Sequence, residues 1–110
     1  MIALQGELVT LDFSPSVGHE PAKRRPAVVV SIDGFNLRSP LTFVVPITSV
    51  NNGYPLHVAL PEGLPVSGWA CVEQLSGVDA QARNIKSLEQ SLDEQTMGEI
   101  LSLIKGMFGV

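Results

Sequence analysis

The sequence predicts a mainly β fold, a small β-barrel with one α-helix packed on it at the C-terminal end. Three observations predict it. Short apolar runs follow one another along most of the chain, turn-forming residues separate them, and the hydrophobic spacing becomes helical only at the end. A length of 110 residues is about one domain's worth, so we expect residues 1–110 to form a single domain.

The predicted strands are apolar or mixed segments bounded by Pro, Gly, Ser and Asn. Glu7–Phe13 mixes apolar and polar positions as a half-buried strand does, and Ala27–Ser31 is a β-branched run typical of a central strand. Three more segments complete the set: Leu41–Ile47, Leu56–Leu60 and Gly68–Leu75. Because proline donates no backbone hydrogen bond, Pro46 predicts a sheet edge or a bulge, and Asn51 to Gly53 predict a turn.

Two further segments differ from the strands. Residues 14–25 form a turn-like stretch that is too rich in Pro, Gly and Ser for a helix. Near the end, apolar residues recur at helical spacing and predict an amphipathic helix over residues 92–107. Ser91, followed by Glu94, is a candidate capping box at its start.

The charge distribution limits the choice of partners. Seven basic and eleven acidic residues give a net charge of −4, whereas nucleic-acid-binding proteins are usually basic. However, Lys23, Arg24, Arg25 and Arg38 lie close together in the sequence and form a local basic patch that can hold a few phosphates.

The sequence also indicates a compartment. Cys71 is the single cysteine and cannot form an internal disulfide, which favours a reducing compartment. The first residues do not pair a basic segment with a long apolar run. We therefore expect a cytoplasmic protein with no membrane segment.

The residues from Gly18 to Pro26 carry the most chemistry. They include a histidine, a carboxylate, a lysine and two arginines. Charged loop residues are most often simply solvated. The functional alternative is acid–base chemistry on a phosphodiester, in which Glu20 accepts a proton and an arginine holds two phosphate oxygens.

The other candidates are weaker when taken singly. Thr48 and Ser49 can donate to phosphate oxygens, and Gln74 can contact a base edge or a phosphate. We interpret His57 as a structural histidine and Cys71 as an inert buried thiol. The sequence has no Cys or His cluster at metal-ligand spacing, so it predicts no metal and no other cofactor.

The run from Gly6 to Ser31 closely resembles the N-terminal signature of MazF/PemK toxins: a strand that begins with Gly and an acidic residue, an Asp-x-x-Pro turn, then Gly-x-Glu-x-x-x-x-Arg-Pro and an apolar strand. Shorter matches continue in the same order through the remainder of the chain: Phe35-Asn36, Val45 to Ser49, Tyr54 to Leu56, Glu73-Gln74 and Ala82-Arg83. The resemblance implies an SH3-like barrel of the MazF/CcdB type. It also implies a homodimer, a cognate antitoxin and cleavage of single-stranded RNA.

By matching motif positions, the resemblance implies that Glu20, Arg25 and Thr48 are catalytic. Glu20 would act as a general base on the 2′-hydroxyl of the substrate, and Arg25 and Thr48 would stabilise the charge on the phosphorane. A guanidinium is a poor proton donor, so His19 or water is the easier donor to the leaving oxygen. The residues that we expect to contact RNA are His19, Lys23, Arg24, Ser49 and Gln74.

Two other functions stay open at this point. A CcdB-type toxin, which inhibits a DNA topoisomerase, resembles this chain in fold but does not require Glu20 and Arg25. A catalytically degenerate member would only bind an antitoxin or RNA.

Overall fold

The structure is a computed structural model that describes residues 3–14, 23–51 and 53–110. These described residues form one antiparallel sheet and two α-helices, in agreement with the predicted mainly β fold with a C-terminal helix. The strands are β1 (Glu7–Ser14), β2 (Lys23–Val29), β3 (Leu41–Thr48), β4 (His57–Ala59), β5 (Trp69–Cys71), β6 (Ser76–Asp79) and β7 (Lys86–Ser91). The helices are α1 (Asp33–Arg38) and α2 (Glu94–Phe108), and a 3₁₀ helix covers Val72–Gln74.

β3 is the strand with the most pairing partners. The sheet order is β4-β5-β3-β2-β1-β7, and β6 also pairs with β3. One edge of β3 pairs with β2, while the other edge pairs first with β6, at Leu41–Val44, and then with β5, at Ile47 and Thr48. β3 therefore connects all the strands of the sheet.

The predicted position of Pro46 at an edge or bulge is wrong, because Pro46 is buried within β3 and lies opposite Ala27 of β2. The carbonyl of Phe43 accepts a hydrogen bond from the β2 side. Since alternate residues of an antiparallel strand face opposite edges, the nitrogen of Pro46 faces the other edge. At that edge, Pro46 lies between the residues that pair with β6 and those that pair with β5. Its nitrogen therefore does not have to donate a hydrogen bond to a neighbouring strand.

The core lies on both faces of the central strands, because the residues of β1, β2 and β3 are buried on each side. One cluster packs between the sheet and α2 and includes Leu8, Val28, Val45, Met97 and Ile100. The other covers the opposite face and includes Val9, Leu11, Ala27, Val29 and Val44. Double-sided burial explains why β2 and β3 read as apolar runs rather than as strict alternation.

Helix α2 confirms the predicted terminal helix, with its start shifted from residue 92 to Glu94. The predicted capping box of Ser91 and Glu94 is wrong, since Ser91 is the last residue of β7. Asp93 is the N-cap instead: its carboxylate accepts from the Thr96 backbone N–H at 3.0 Å and from the Thr96 hydroxyl at 2.7 Å. Neither helix in the described part of the chain has the length and apolar character of a membrane span.

Other boundaries differ from those predicted. Residues 23–25, predicted as part of the turn-like stretch, belong to β2, because they pair with β1 at Ser14, Asp12 and Leu11. The predicted strand Gly68–Leu75 is only three residues of β5 followed by the 3₁₀ helix. The elements α1, β6 and β7 were not predicted.

A glycine fixes the distance between β3 and the start of β5. Gly68 has φ +132°, and a Cβ atom built on it would lie 2.0 Å from the carbonyl oxygen of Thr48. Such a contact with backbone requires the strands to separate. Gly68 thus permits the close approach that places Thr48 beside β5.

We expect Gly68→Ala to lower the free energy of unfolding by roughly 3 kcal/mol or more, because both its φ angle and the Thr48 carbonyl oppose a side chain. Gly98→Ala is the matched control: a Cβ at this α2 position meets nothing within 4 Å. It should stabilise the protein by roughly 0.5–1 kcal/mol. Urea denaturation measures both values, and similar effects for the two variants would contradict this account.

Candidate active site

A small pocket lies beside the end of β3 and has a volume of about 100 Å³, the liquid volume of roughly three water molecules. Its polar lining consists of Arg25, Thr48, His57, Cys71 and Gln74. Its apolar lining consists of Pro46, Ile47 and Val50. We call it the Arg25 pocket.

Strand pairing brings these residues together from distant parts of the chain. On one side of β3, Ala27 of β2 lies opposite Pro46. On its other side, Ala70 of β5 lies opposite Ile47. Arg25 lies two residues before Ala27 on β2, and Thr48 lies two residues after Pro46 on β3. Because the two strands are antiparallel, both residues lie at the same end of the sheet.

Arg25 gives the pocket a positive charge. Its side chain is half-buried, and no described residue accepts a hydrogen bond from its guanidinium or forms an ion pair with it. A guanidinium offers five N–H donors in a planar fork that fits a phosphate. The arrangement therefore favours an anionic ligand.

Two neutral groups add donors beside Arg25. The Thr48 hydroxyl oxygen accepts from the Val50 backbone N–H at 3.2 Å, and its own hydrogen has no acceptor within the described part of the chain. The Gln74 side chain is exposed at the pocket, and its amide has no partner among the described residues. A hydroxyl and an amide can both donate to phosphate oxygens without adding charge.

A larger groove of about 740 Å³ lies between β4 and α2. Its lining, as far as the described residues go, includes the acidic residue Glu99 and contains no lysine or arginine. Because a phosphate requires cationic or neutral donors, the smaller Arg25 pocket is the better site for a nucleic-acid backbone.

The family model described as "PemK-like, MazF-like toxin of type II toxin-antitoxin system" matches residues 4–108. The chain belongs to this family.

Curated relatives and solved structures agree with that assignment. The chain is 37% identical to the endoribonuclease toxin MazF of Escherichia coli K12 over 78 residues, which are 71% of this chain and 69% of that protein. It is 31% identical to the endoribonuclease PemK of Escherichia coli over 102 residues, which are 88% of this chain and 75% of PemK. The crystal structure of MazF from Deinococcus radiodurans superposes with a TM-score of 0.89 at 32% identity, covering 100% of this chain and 99% of that one.

A complex of the same MazF with MazE gives a TM-score of 0.92 at 32% identity, covering 100% of this chain and 98% of that chain. The mainly β fold predicted from the sequence, a MazF-type fold with a C-terminal helix, is therefore confirmed.

In this MazF/PemK-family toxin, only some of the predicted site residues fall within the described chain. Arg25, Thr48 and Gln74 meet in the Arg25 pocket. Ser49 follows Thr48 and is exposed, but it does not line the pocket. The predicted base Glu20 and the predicted RNA contact His19 lie outside the described residues, and the structure describes the backbone of Lys23 but not its side chain.

The structure does not bring Arg24 to the pocket. Arg24 and Arg25 are neighbours on a strand, so their side chains project to opposite faces. The Arg24 guanidinium forms an ion pair with Asp12 at 3.2 Å. It also donates to the Thr10 carbonyl at 3.1 Å, the Thr10 hydroxyl at 3.0 Å and the Asn84 carbonyl at 2.7 Å. Its contacts join β2 to β1 and to the turn before β7.

The carboxylate of Asp12 belongs to the same network. The hydrogen bond from the Asn84 side chain is the largest cause that lowers the pKa of Asp12, and the hydrogen bond and charge of Arg24 act in the same direction. A carboxyl whose folded pKa is lowered stabilises the fold above its ordinary pKa. This contribution is lost as the pH falls through the folded value.

The sequence did not predict that His57, Cys71 and Glu73 are neighbours. Each provides a potential ligand atom, and these atoms lie within 4.8 Å of one another. The ring nitrogen Nε2 of His57 lies 3.0 Å from both carboxylate oxygens of Glu73. No local sequence signal reveals this cluster, because it depends on the antiparallel pairing of β4 with β5, which places His57 opposite Cys71.

The buried thiol of Cys71 is also part of the pocket. Burial is the first cause that raises the pKa of Cys71, and the negative charge of Glu73 raises it further. The positive charge of Arg25 acts in the opposite direction. A protonated, buried thiol agrees with the interpretation of Cys71 as a poor nucleophile.

We expect Arg24→Ala to lower the free energy of unfolding by roughly 1 kcal/mol, because it removes partly exposed, charge-assisted hydrogen bonds. Arg25→Ala should change it by less than about 0.5 kcal/mol, because its guanidinium has no described protein partner. Chemical denaturation at neutral pH compares the two variants. A larger loss for Arg25→Ala than for Arg24→Ala would show that their roles are reversed.

Proposed function

We propose that this chain is the toxin of a type II toxin–antitoxin system and that it cleaves single-stranded RNA at the Arg25 pocket. The observation that carries the proposal is the meeting of Arg25 and Thr48, from different strands, in a pocket with donors for a phosphate. The relatives named endoribonuclease MazF and endoribonuclease PemK support it. The protein acts in the cytoplasm, where its RNA substrate is found.

The reaction uses the 2′-hydroxyl of the RNA as its nucleophile. Glu20 accepts the 2′-hydroxyl proton, the 2′ oxygen forms a bond to the adjacent phosphorus, and the bond from phosphorus to the 5′ oxygen breaks. His19 or water gives a proton to the leaving 5′ oxygen. The products are a 2′,3′-cyclic phosphate and a 5′-hydroxyl.

Arg25 and Thr48 act on the charge that develops during this reaction. The planar guanidinium of Arg25 contacts two non-bridging oxygens of the phosphorane, and the Thr48 hydroxyl donates to one of them. Gln74 and Ser49 then contact the RNA beside the cut, with further contacts from His19 and Lys23. The Arg24 guanidinium, by contrast, is already held by Thr10, Asp12 and Asn84, so we assign it to the fold.

The same lining favours a mechanism without a metal ion in the reaction. Two-metal cleavage of phosphodiesters needs several carboxylates that converge on ions about 4 Å apart. The described lining of the Arg25 pocket contributes a cation and no carboxylate. An internal nucleophile suits such a site, because the 2′-hydroxyl is already held next to the phosphorus.

A cognate antitoxin inhibits the toxin and a homodimer is its active form. The Deinococcus radiodurans structures include MazF in complex with MazE, which supports an antitoxin partner. An acidic antitoxin segment can bind the donors of the Arg25 pocket and exclude RNA phosphates. The CcdB-type alternative is less suited to this chain, because binding a topoisomerase does not require an arginine that lines a small pocket and has no partner in the described part of the chain.

We expect Arg25→Ala and Glu20→Ala each to abolish cleavage, with at least a ~10²–10³-fold loss in rate for Arg25→Ala, because a developing charge loses its stabilising donor. Cleavage of a mixed RNA by purified protein measures the loss. Arg38→Ala is the matched control. The sequence predicts Arg38 in the basic patch, but Arg38 is exposed at the end of α1, where it donates a 3.4 Å bond to the Gly34 carbonyl, and it does not line the Arg25 pocket. Near wild-type cleavage by Arg25→Ala would remove the basis of the proposal.

A second test concerns the nucleophile. An RNA with a single 2′-deoxy substitution at the cut position should bind and stay intact, and cleavage of normal RNA should continue in EDTA. Mass spectrometry of the normal products should find a 2′,3′-cyclic phosphate end. Cleavage of the deoxy substrate, or activity that EDTA removes and magnesium restores, would contradict the mechanism.

A further inference from the structure

The cluster of His57, Cys71 and Glu73 lies at the Arg25 pocket, where His57 and Cys71 form part of the lining. The three potential ligand atoms are within 4.8 Å of one another. Around a tetrahedral zinc ion, nitrogen, oxygen and sulfur ligands at their usual bond lengths are about 3.3–3.8 Å apart. The separation of His57 Nε2 from the Glu73 oxygens, 3.0 Å, is already close to this range, so side-chain rotations that bring the longest of the three separations into it would complete a zinc geometry.

The backbone already holds two of these residues in place. His57 of β4 lies opposite Cys71 of β5 in the antiparallel pair. The next residue, Val72, donates its backbone N–H to the Leu56 carbonyl at 3.1 Å, and Glu73 lies in the 3₁₀ helix that follows. Because hydrogen bonds already order the main chain at these residues, binding of a metal ion costs little conformational entropy.

The imidazole of His57 has unused bonding capacity. Its side chain is only 7% exposed, and its Nδ1 atom is buried without a hydrogen-bond partner among the described residues. Such atoms are uncommon in folded proteins. Coordination through Nδ1 gives this atom a partner while Glu73 holds Nε2, the arrangement in which a carboxylate orients a metal-binding histidine. Coordination through Nε2 instead places the ion between the ring and the carboxylate.

The donor set selects the kind of ion. A thiolate, an imidazole and a carboxylate suit Zn²⁺, whereas Mg²⁺ and Ca²⁺ prefer oxygen ligands. The thiolate and the carboxylate together carry two negative charges, which balance a divalent ion. Coordination through Nε2 uses three protein ligands and leaves one tetrahedral position for water or a substrate oxygen, whereas coordination through Nδ1 uses two and leaves two such positions.

We propose that His57, Cys71 and Glu73 form a zinc-binding site and that zinc bound there inhibits the toxin. The ion displaces the thiol proton of Cys71, which passes to solvent. It then places a dication beside Arg25, and its open position competes with Arg25 for a phosphate oxygen. The proposal that zinc binds depends only on the geometry of the cluster. The proposal that zinc inhibits RNA cleavage rests on the proposed function of the Arg25 pocket.

The binding test uses the purified full-length chain, with zinc titrated against a chromophoric chelator. We expect one zinc per chain, and Cys71→Ser and Glu73→Gln should each weaken binding at least about tenfold. Glu62→Gln is the matched control, because Glu62 is exposed and outside the cluster, and it should bind zinc like the wild type. Circular dichroism establishes that each variant is folded.

Cobalt provides a second readout that does not depend on affinity. Co²⁺ bound by the wild type should give a thiolate-to-cobalt charge-transfer band in the near ultraviolet, and Cys71→Ser should lack it. Zinc affinity that is unchanged in Cys71→Ser, or a cobalt spectrum without that band, would overturn the site.

The inhibition test measures RNA cleavage by metal-free protein before and after saturation with zinc. We expect at least a tenfold loss that EDTA reverses and that magnesium does not produce. Zinc binding with unchanged cleavage would overturn the inhibition and leave the site standing. Failure of the proposed function is distinguishable, because metal-free wild type would then not cut RNA at all.

Discussion

The fold depends on the pairing of β3 with three other strands. Because β2 occupies one edge while β6 and β5 share the other, residues far apart in sequence are placed around the end of a single strand. The change of partner occurs at Pro46, whose missing N–H falls where no ladder bond is made. At the end of β3, Gly68 allows β5 to approach the carbonyl of Thr48. The Arg25 pocket is thus a consequence of how this strand ends.

Strand alternation then separates the two neighbouring arginines. Arg24 faces β1 and the turn before β7, where its guanidinium donates to Asp12, Thr10 and Asn84. Arg25 lines the pocket, where its charge is available to a ligand. The net charge of −4 consequently says little about RNA binding. One cation that has no partner among the described residues, placed in a concave site, matters more for a phosphate than the sum of charges over the surface.

Much of the fold could be predicted from the sequence because the strongest signals are local. The β-branched run around Val28 and the helical spacing from Met97 to Met107 each specify one element. The elements that were missed have weak local patterns. β7 is largely exposed and polar, with Glu89 at φ +62°, and it is a strand because it pairs with β1. The six residues of α1 are too few to establish a period.

The site was predictable only in part, for the same physical reason. Arg25 and Thr48 were identified through a family motif, and Gln74 through its position at the end of an apolar segment. The neighbours of His57 could not be predicted, because its contacts with Cys71 and Glu73 depend on the register between β4 and β5. The different roles of Arg24 and Arg25 could not be predicted either, because they follow from the start of β2 at Lys23. Composition alone assigns this part of the sequence to a turn.

The central claim is that the phosphate to be cut lies in the Arg25 pocket. A crystal structure of the protein with an RNA oligonucleotide that is 2′-deoxy at the cut position tests it directly. The account predicts that the phosphate 3′ to the deoxy sugar lies within hydrogen-bond distance, about 3 Å, of both the Arg25 guanidinium and the Thr48 hydroxyl. A phosphate held elsewhere, with Arg25 turned to solvent, would contradict it.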